Sequence, residues 1–299
     1  MDNKNSGRGL MKGFFLLCIG GILIAVGLSL GGQSVREFEF WPWNNDRFMF
    51  HYAFGDDDDD TLIRPVTMYE GTISSNIRNL TVDLKFSSLE IRHGSAPEYR
   101  ASDFREDSIR ITMDGDTLVV EETDWQSRKN FGEHHLKSHL EIVLPEDRTL
   151  DVATISVGAG SMTMTDIDAD TFNIESGAGS IKGDGIRAKR ASLKTGAGSL
   201  EFTDSSFGET LIQTGAGRVR FDGELDSRSV ISTGAGSVEL DLAGSEDDYR
   251  VDFTRGIGSV RVGRSSYNGI GSGTAGNMDA VRYLEITTGV GSVRIRFKE

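Results

Sequence analysis

Thr195-Gly196-Ala197-Gly198-Ser199-Leu200-Glu201-Phe202 is followed 19 residues later by Thr214-Gly215-Ala216-Gly217-Arg218-Val219-Arg220-Phe221, and 19 later again by Thr233-Gly234-Ala235-Gly236-Ser237-Val238-Glu239-Leu240. The same Gly-x-Gly triplet begins at Gly158, Gly177, Gly196, Gly215, Gly234, Gly256 and Gly289. The first five copies keep a step of 19, and the last two steps lengthen to 22 and 33. A fixed period near twenty residues marks a stacked solenoid, because one turn cannot bury its apolar face alone and does so against its neighbours.

Counted from the first glycine, the third residue upstream is Ile155, Ile174, Leu193, Ile212, Ile231, Phe253 and Ile286. The fourth downstream is Met162, Ile181, Leu200, Val219, Val238, Val260 and Val293; the sixth is Met164, Gly183, Phe202, Phe221, Leu240, Val262 and Ile295. Apolar positions two apart have the period of a strand, not the three and four of a helix. Glycine and β-branched residues also oppose a helix here. Each rung therefore reads as a strand, a bend at the glycines, a second strand and a polar turn such as Asp184-Gly185. Glycine suits the bend because it accepts positive φ and lets neighbouring backbones approach. The residue between the glycines, Ala in five copies, Ile257 and Val290 in the others, is expected to point inward. The residue before the triplet, Ser176, Thr195, Thr214, Thr233 or Thr288, is expected to form a hydrogen-bonded hydroxyl ladder. The seven copies read as consecutive coils.

The repeat continues upstream in degenerate form. Leu80 to Ile91 keeps strand alternation, with Ser87-Ser88 near where glycines would fall. Ile109, Ile111 and Met113 alternate up to Asp114-Gly115, and Leu118 and Val120 follow, which signals a hairpin. Leu140 to Pro145 is a strand ended by its proline. Residues 65–150 thus read as an irregular N-terminal β segment covering the end of a solenoid at 151–299, since an open sheet edge invites pairing with another chain.

Residues 14–32 are uncharged and mostly apolar, long enough to cross a hydrocarbon core of about 30 Å as a helix. Lys4, Arg8 and Lys12 precede them, so residues 1–13 are expected to be a cytoplasmic tail and the bulk to lie outside the membrane. A cleaved signal peptide is the other reading, although no Ala-x-Ala site stands there. Cys18 is the only cysteine, which rules out a disulfide within one chain. Residues 33–64 form a juxtamembrane linker, first aromatic (Phe38, Phe40, Trp41, Trp43, Phe48, Phe50, Tyr52, Phe54), then acidic (Asp56 to Asp60). Aromatics beside a span settle at lipid headgroups or pack on a partner. The acid run lacks the spaced ligands and turn glycine of a calcium loop.

Beyond residue 13 the chain carries 29 basic and 45 acidic residues, a net of −16, which disfavours nucleic acid as a partner. His135 and His139 have the spacing of a helical zinc pair, but His139 runs straight into a strand, so no metal is expected there. The outward acids Glu201, Asp222 and Glu239 do not all fall at one repeated position and alternate with Lys182, Arg220 and Arg294, unlike the paired carboxylates of a polysaccharide-cleaving β-helix. A calcium roll would place Asp where Met162 and its equivalents stand.

The strand Leu140 to Pro145, the rungs of the type Thr233 to Val238 and the closing Thr288 to Ile295 resemble the bacterial "putative adhesin" family of β-strand-repeat proteins, a domain of unknown function. The resemblance covers residues 65–299. It implies an all-β solenoid of the parallel β-helix or β-roll type, preceded by one N-terminal transmembrane helix, on the outside of a bacterial membrane. It brings no catalytic residues and no cofactor. The expected role is non-enzymatic: a single-pass envelope protein that contacts another envelope protein or polymer. The alternatives are an envelope-stress sensor and, further off, a polysaccharide-active enzyme. The longest interruption, Gly263 to Arg282, is expected to project as a contact loop through Tyr267, Asn268 and Ile270.

Overall fold

The computed structural model describes residues 38–39, 51–52, 66–105, 108–123 and 138–298. Two units divide the chain. In the first, Met1–Thr61 with Ser127–Phe131, an antiparallel ladder joins β1 (Phe38–Glu39) to β2 (His51–Tyr52). The apolar run 14–32, where the membrane helix is expected, lies outside the described residues. Among the described residues no helix is long and apolar enough to cross a membrane.

The second unit, Leu62–Gln126 with Gly132–Glu299, holds a single sheet of fifteen strands. Seven short strands come first: β3 (Val66–Thr72), β4 (Asn79–Leu84), β5 (Ser88–Gly94), β6 (Glu98–Arg105), β7 (Ile109–Asp114), β8 (Thr117–Glu122) and β9 (His139–Pro145). Long rungs follow: β10 (Thr149–Thr165), β11 (Asp168–Asp184), β12 (Arg187–Leu225), β13 (Ser229–Ala243) and β14 (Tyr249–Val262). A hairpin of β15 (Ser265–Asn268) and β16 (Gly271–Gly276) leads to the last rung, β17 (Arg282–Lys298). Rungs pair parallel and in repeat register: Ile155 opposes Ile174, Ile174 opposes Leu193, and Ile212 opposes Ile231. β12 makes two turns, its Gly215 and Gly217 stacking on its own Gly196 and Gly198.

Each apolar position of the repeat is buried, so neighbouring rungs share a continuous dry interior. The exception, Gly183, is filled from outside its own rung: a Cβ there would lie 2.5 Å from the ring of Phe202. Phe207 closes the middle of the stack, with ring centroids 5.3 Å from Phe221, 5.5 Å from Phe202 and 6.5 Å from Phe172.

The bend explains the glycines. At the second glycine φ is +138° in Gly179, +137° in Gly198, +147° in Gly217, +143° in Gly236 and +146° in Gly291, a region L side chains rarely enter. A Cβ on Gly217 would also sit 1.7 Å from the carbonyl oxygen of Gly198 beneath it. The first glycine obeys only the second constraint, with Gly234 meeting the Gly215 oxygen at 2.5 Å.

Two expectations about the bend are corrected. The residue between the glycines faces out, Ile257 being 66% exposed. The residue before the triplet and the fourth after the first glycine both point inward. They stand five positions apart, an odd step that strict alternation cannot span, so the intervening Gly-x-Gly-Ser forms an outside corner. The residues before the triplet are buried instead, and the hydroxyls of Thr195, Thr214, Thr233 and Thr288 find no hydrogen-bond partner among the described residues. Rungs about 4.8 Å apart place successive inner hydroxyls beyond reach of one another. On the outside, where side chains can lean, Ser199 donates to Ser180 at 3.2 Å.

The order of rungs is not the order of the chain, which corrects the reading of seven consecutive coils. β17 lies between β13 and β14, parallel to both, so the seventh triplet stacks on the fifth and the sixth stands outermost. The other end repeats the device. β4 and β5 form a broken rung whose Lys85-Phe86-Ser87 stands at the Gly158-Ala159-Gly160 position, between β10 on one side and β8 with β9 on the other. That corner lacks glycines, and the buried Glu122 carboxylate supports it by accepting from the Lys85 amide (2.6 Å), the Phe86 amide (3.2 Å) and the Ser87 hydroxyl (3.2 Å). Antiparallel strands cover both ends: β6, β7 and β3 at one, β15 and β16 at the other.

Gly217→Ala should cost about 3 kcal/mol or more in a urea melt, since it combines strained φ with a backbone clash. Gly115→Ala, at φ +61° with nothing within 4 Å of the added Cβ, should cost only about 1 kcal/mol. Equal costs would refute the corner as described. Thr214→Val keeps the shape and deletes a partnerless buried hydroxyl, so it should raise stability by about 1 kcal/mol; a loss of that size would mean the hydroxyl is satisfied in solution.

Candidate interaction surface

The outermost rung departs from the repeat at two places. Arg255 stands where the other rungs bury Thr, Ser or, in the first, Val157, and Ile257 stands where most carry Ala. Arg255 is only 9% exposed. Its guanidinium lies over the rings of Phe253 (5.4 Å) and Tyr267 (6.0 Å), which themselves pack with centroids 4.7 Å apart. Its Nε donates to the Gly269 carbonyl and its Nη2 to the Asn268 carbonyl at 3.0 Å. A cation clamped over two rings and bonded to two carbonyls fixes the tip of the β15–β16 hairpin onto β14.

This geometry sorts the three residues expected at the contact. The segment is a strand hairpin paired with β14, not a free loop, and Tyr267 lies partly buried against the core with its ring on Phe253. Asn268 is exposed, but its carbonyl is engaged by Arg255. Ile270, 80% exposed, is presented at the tip. Register brings Ile257 to the same corner, because Arg255 opposes Gly271 and Ser259 opposes Asn268. Sequence reading placed Ile257 inside and did not single out Arg255, although both were visible as departures from the repeat.

Outward charges pair up the stack: Asp170 with Lys189 (2.7 Å), Glu175 with Lys194 (3.3 Å), Glu201 with Arg220 (3.9 Å) and Glu239 with Arg294 (3.5 Å). Exposed pairs of this kind contribute little individually. Asp241 differs, since its side chain is 7% exposed and receives both Nε and Nη2 of Arg296, the latter at 2.8 Å. Those hydrogen bonds hold its carboxyl below the usual carboxylate range. His139 begins β9, with Nδ1 3.0 Å from the Ser88 hydroxyl; His134 and His135 lie outside the described residues. Among the described residues no group of three His, Cys, Asp or Glu is placed to hold a metal.

Fold and cap together define an all-β repeat protein whose corner glycines are constant while the side chains around them differ from rung to rung. The family described as Toastrack DUF4097 matches residues 77–266, and the chain belongs to that family. No curated protein matches the sequence. Similar solved structures include a putative cell adhesion protein from Clostridium sporogenes ATCC 15579, 12% identical with TM-score 0.38, covering 78% of this chain and 100% of that one. Another is a putative adhesin from Bacteroides fragilis NCTC 9343, 11% identical with TM-score 0.39, covering 77% of this chain and 97% of that one.

Because the folded-state pKa of Asp241 is lowered, its contribution is complete above the unfolded value of about 3.9 and is lost as pH falls through the folded one. Asp241→Asn should therefore lower Tm at pH 7 and flatten the fall of Tm from about pH 4 downward. A Tm profile parallel to that of the parent chain would contradict the assignment.

Proposed function

We propose that this chain is a non-enzymatic, single-pass envelope protein that displays its solenoid outside the cell membrane and contacts an envelope protein or polymer through the C-terminal cap. The observation that carries the reading is the cap itself: two large apolar side chains, Ile257 and Ile270, held in solvent on a corner that Arg255 makes rigid. Isolated apolar side chains are ordinary, but a pair on an immobilised tip loses little entropy on binding. Family membership supports an adhesin-like interaction role. The apolar run 14–32 and its cationic flank support the anchor.

Sensing of envelope stress is the second reading. The eight aromatics between Phe38 and Phe54 favour it, because such a collar beside a membrane span can engage membrane partners. Replacing residues 14–54 with an unrelated anchor separates the two: adhesion survives the exchange and signalling does not.

Crosslinking in intact cells, followed by identification of captured neighbours, tests the contact. The full chain carrying Ile257→Asp and Ile270→Asp should accumulate normally and capture its major neighbour at least about tenfold less, in line with loss of two central apolar contacts. Unchanged capture would remove the cap from the interaction.

A further inference from the structure

β17 is the last strand written in the chain, yet it lies between two strands that precede it. Its place is selected by charge. Arg282 pairs with Glu224 and Asp226, Arg294 with Glu239, Arg296 with Asp241 and Lys298 with Asp222, while Glu285 receives Arg228 at 2.9 Å. From the other side β14 supplies Asp252, which accepts from the Tyr283 hydroxyl at 3.0 Å. The slot between β13 and β14 thus fits a cationic strand with a Thr-Gly-x-Gly corner, and β14 alone could not serve, since it ends at Val262 and sets no cation against the buried Asp241.

The connection that delivers β17 is exposed. In residues 277–281, Met278 is 57% and Val281 89% exposed, and the segment's backbone is tied to the cap only through the Asn277 amide on the Tyr249 carbonyl. The pairings named above reach residues of β12 to β14 and their turns, none in this hinge. A strand whose partners all lie on a slot formed earlier in the chain is interchangeable with the same strand of another copy.

We propose that β17 exchanges between two copies of this chain, each copy's last strand filling the other's slot. The exchanged pair keeps every rung contact of the single chain and differs only in the path of residues 277–281.

Ser237 and Ser292 are register partners on β13 and β17, within the reach of a disulfide once both are cysteine. The full chain carrying Cys18→Ser is made in two differently tagged forms, one with Ser237→Cys and the other with Ser292→Cys, co-expressed and oxidised. A third form carries both substitutions on one chain; its complete internal closure shows that the pair is competent and the chain folded. The expected result is a disulfide-linked heterodimer several-fold more abundant than the background dimer of either single form expressed alone. Deleting residues 278–280 should raise it further, because a shortened hinge cannot fold back on its own slot. A heterodimer no more abundant than background, with the double form fully closed, overturns the proposal.

Discussion

The stack depends on one close approach. At the second glycine of each corner the backbone sits so near the carbonyl oxygen of the rung beneath that a Cβ would fall within 1.6–1.9 Å of it, in copies from Gly179 to Gly291. No side chain tolerates that distance, and φ near +140° excludes L residues independently. Corners so alike superpose in register, which aligns the apolar positions on either side into columns and gives the rungs a common interior.

Identical corners carry a second consequence. Any rung fits on any other, so the corner does not fix their order, and side chains outside it must. At the C-terminal end that choice is electrostatic, four cations of β17 against the acids of the two preceding rungs. At the N-terminal end Glu122 performs a corresponding local task, replacing glycine geometry with a carboxylate that gathers two amides and a hydroxyl. Both terminal rungs are held between two neighbours instead of one, and antiparallel strands cover what remains. Ends built this way resist the fraying and edge pairing to which open solenoids are exposed.

Much of this fold is written locally. Ile155 and its equivalents, with the positions four and six after the first glycine, announce strands and a core through spacing alone, and the triplet announces a bend. Parity across the bend is not written, because straight alternation predicts Ala197 inside and Thr195 beside a partner, whereas the corner turns the first outward and leaves the second buried with its hydroxyl unpaired. The order of rungs depends on ion pairs between residues more than fifty apart, such as Asp241 and Arg296, which no local pattern reveals. The steps of 22 and 33 and the substitutions at Arg255 and Ile257 were the legible traces that the sixth copy has a different neighbour. At the cap, Ile270 was legible as an apolar residue among glycines; the burial of Tyr267 was not, since its ring packs on Phe253 from another strand.

Oxidation of cysteine pairs across the disputed neighbours tests the rung order most directly. In the full chain with Cys18→Ser, Ser259→Cys is combined either with Ser292→Cys, its register partner, or with Ser237→Cys, which lies two rungs away, about 9.6 Å by rung spacing. The account predicts closure of the first pair and a free dithiol in the second. Closure of the second with the first left open would mean that the rungs stack in chain order, and the intercalated strand would be wrong.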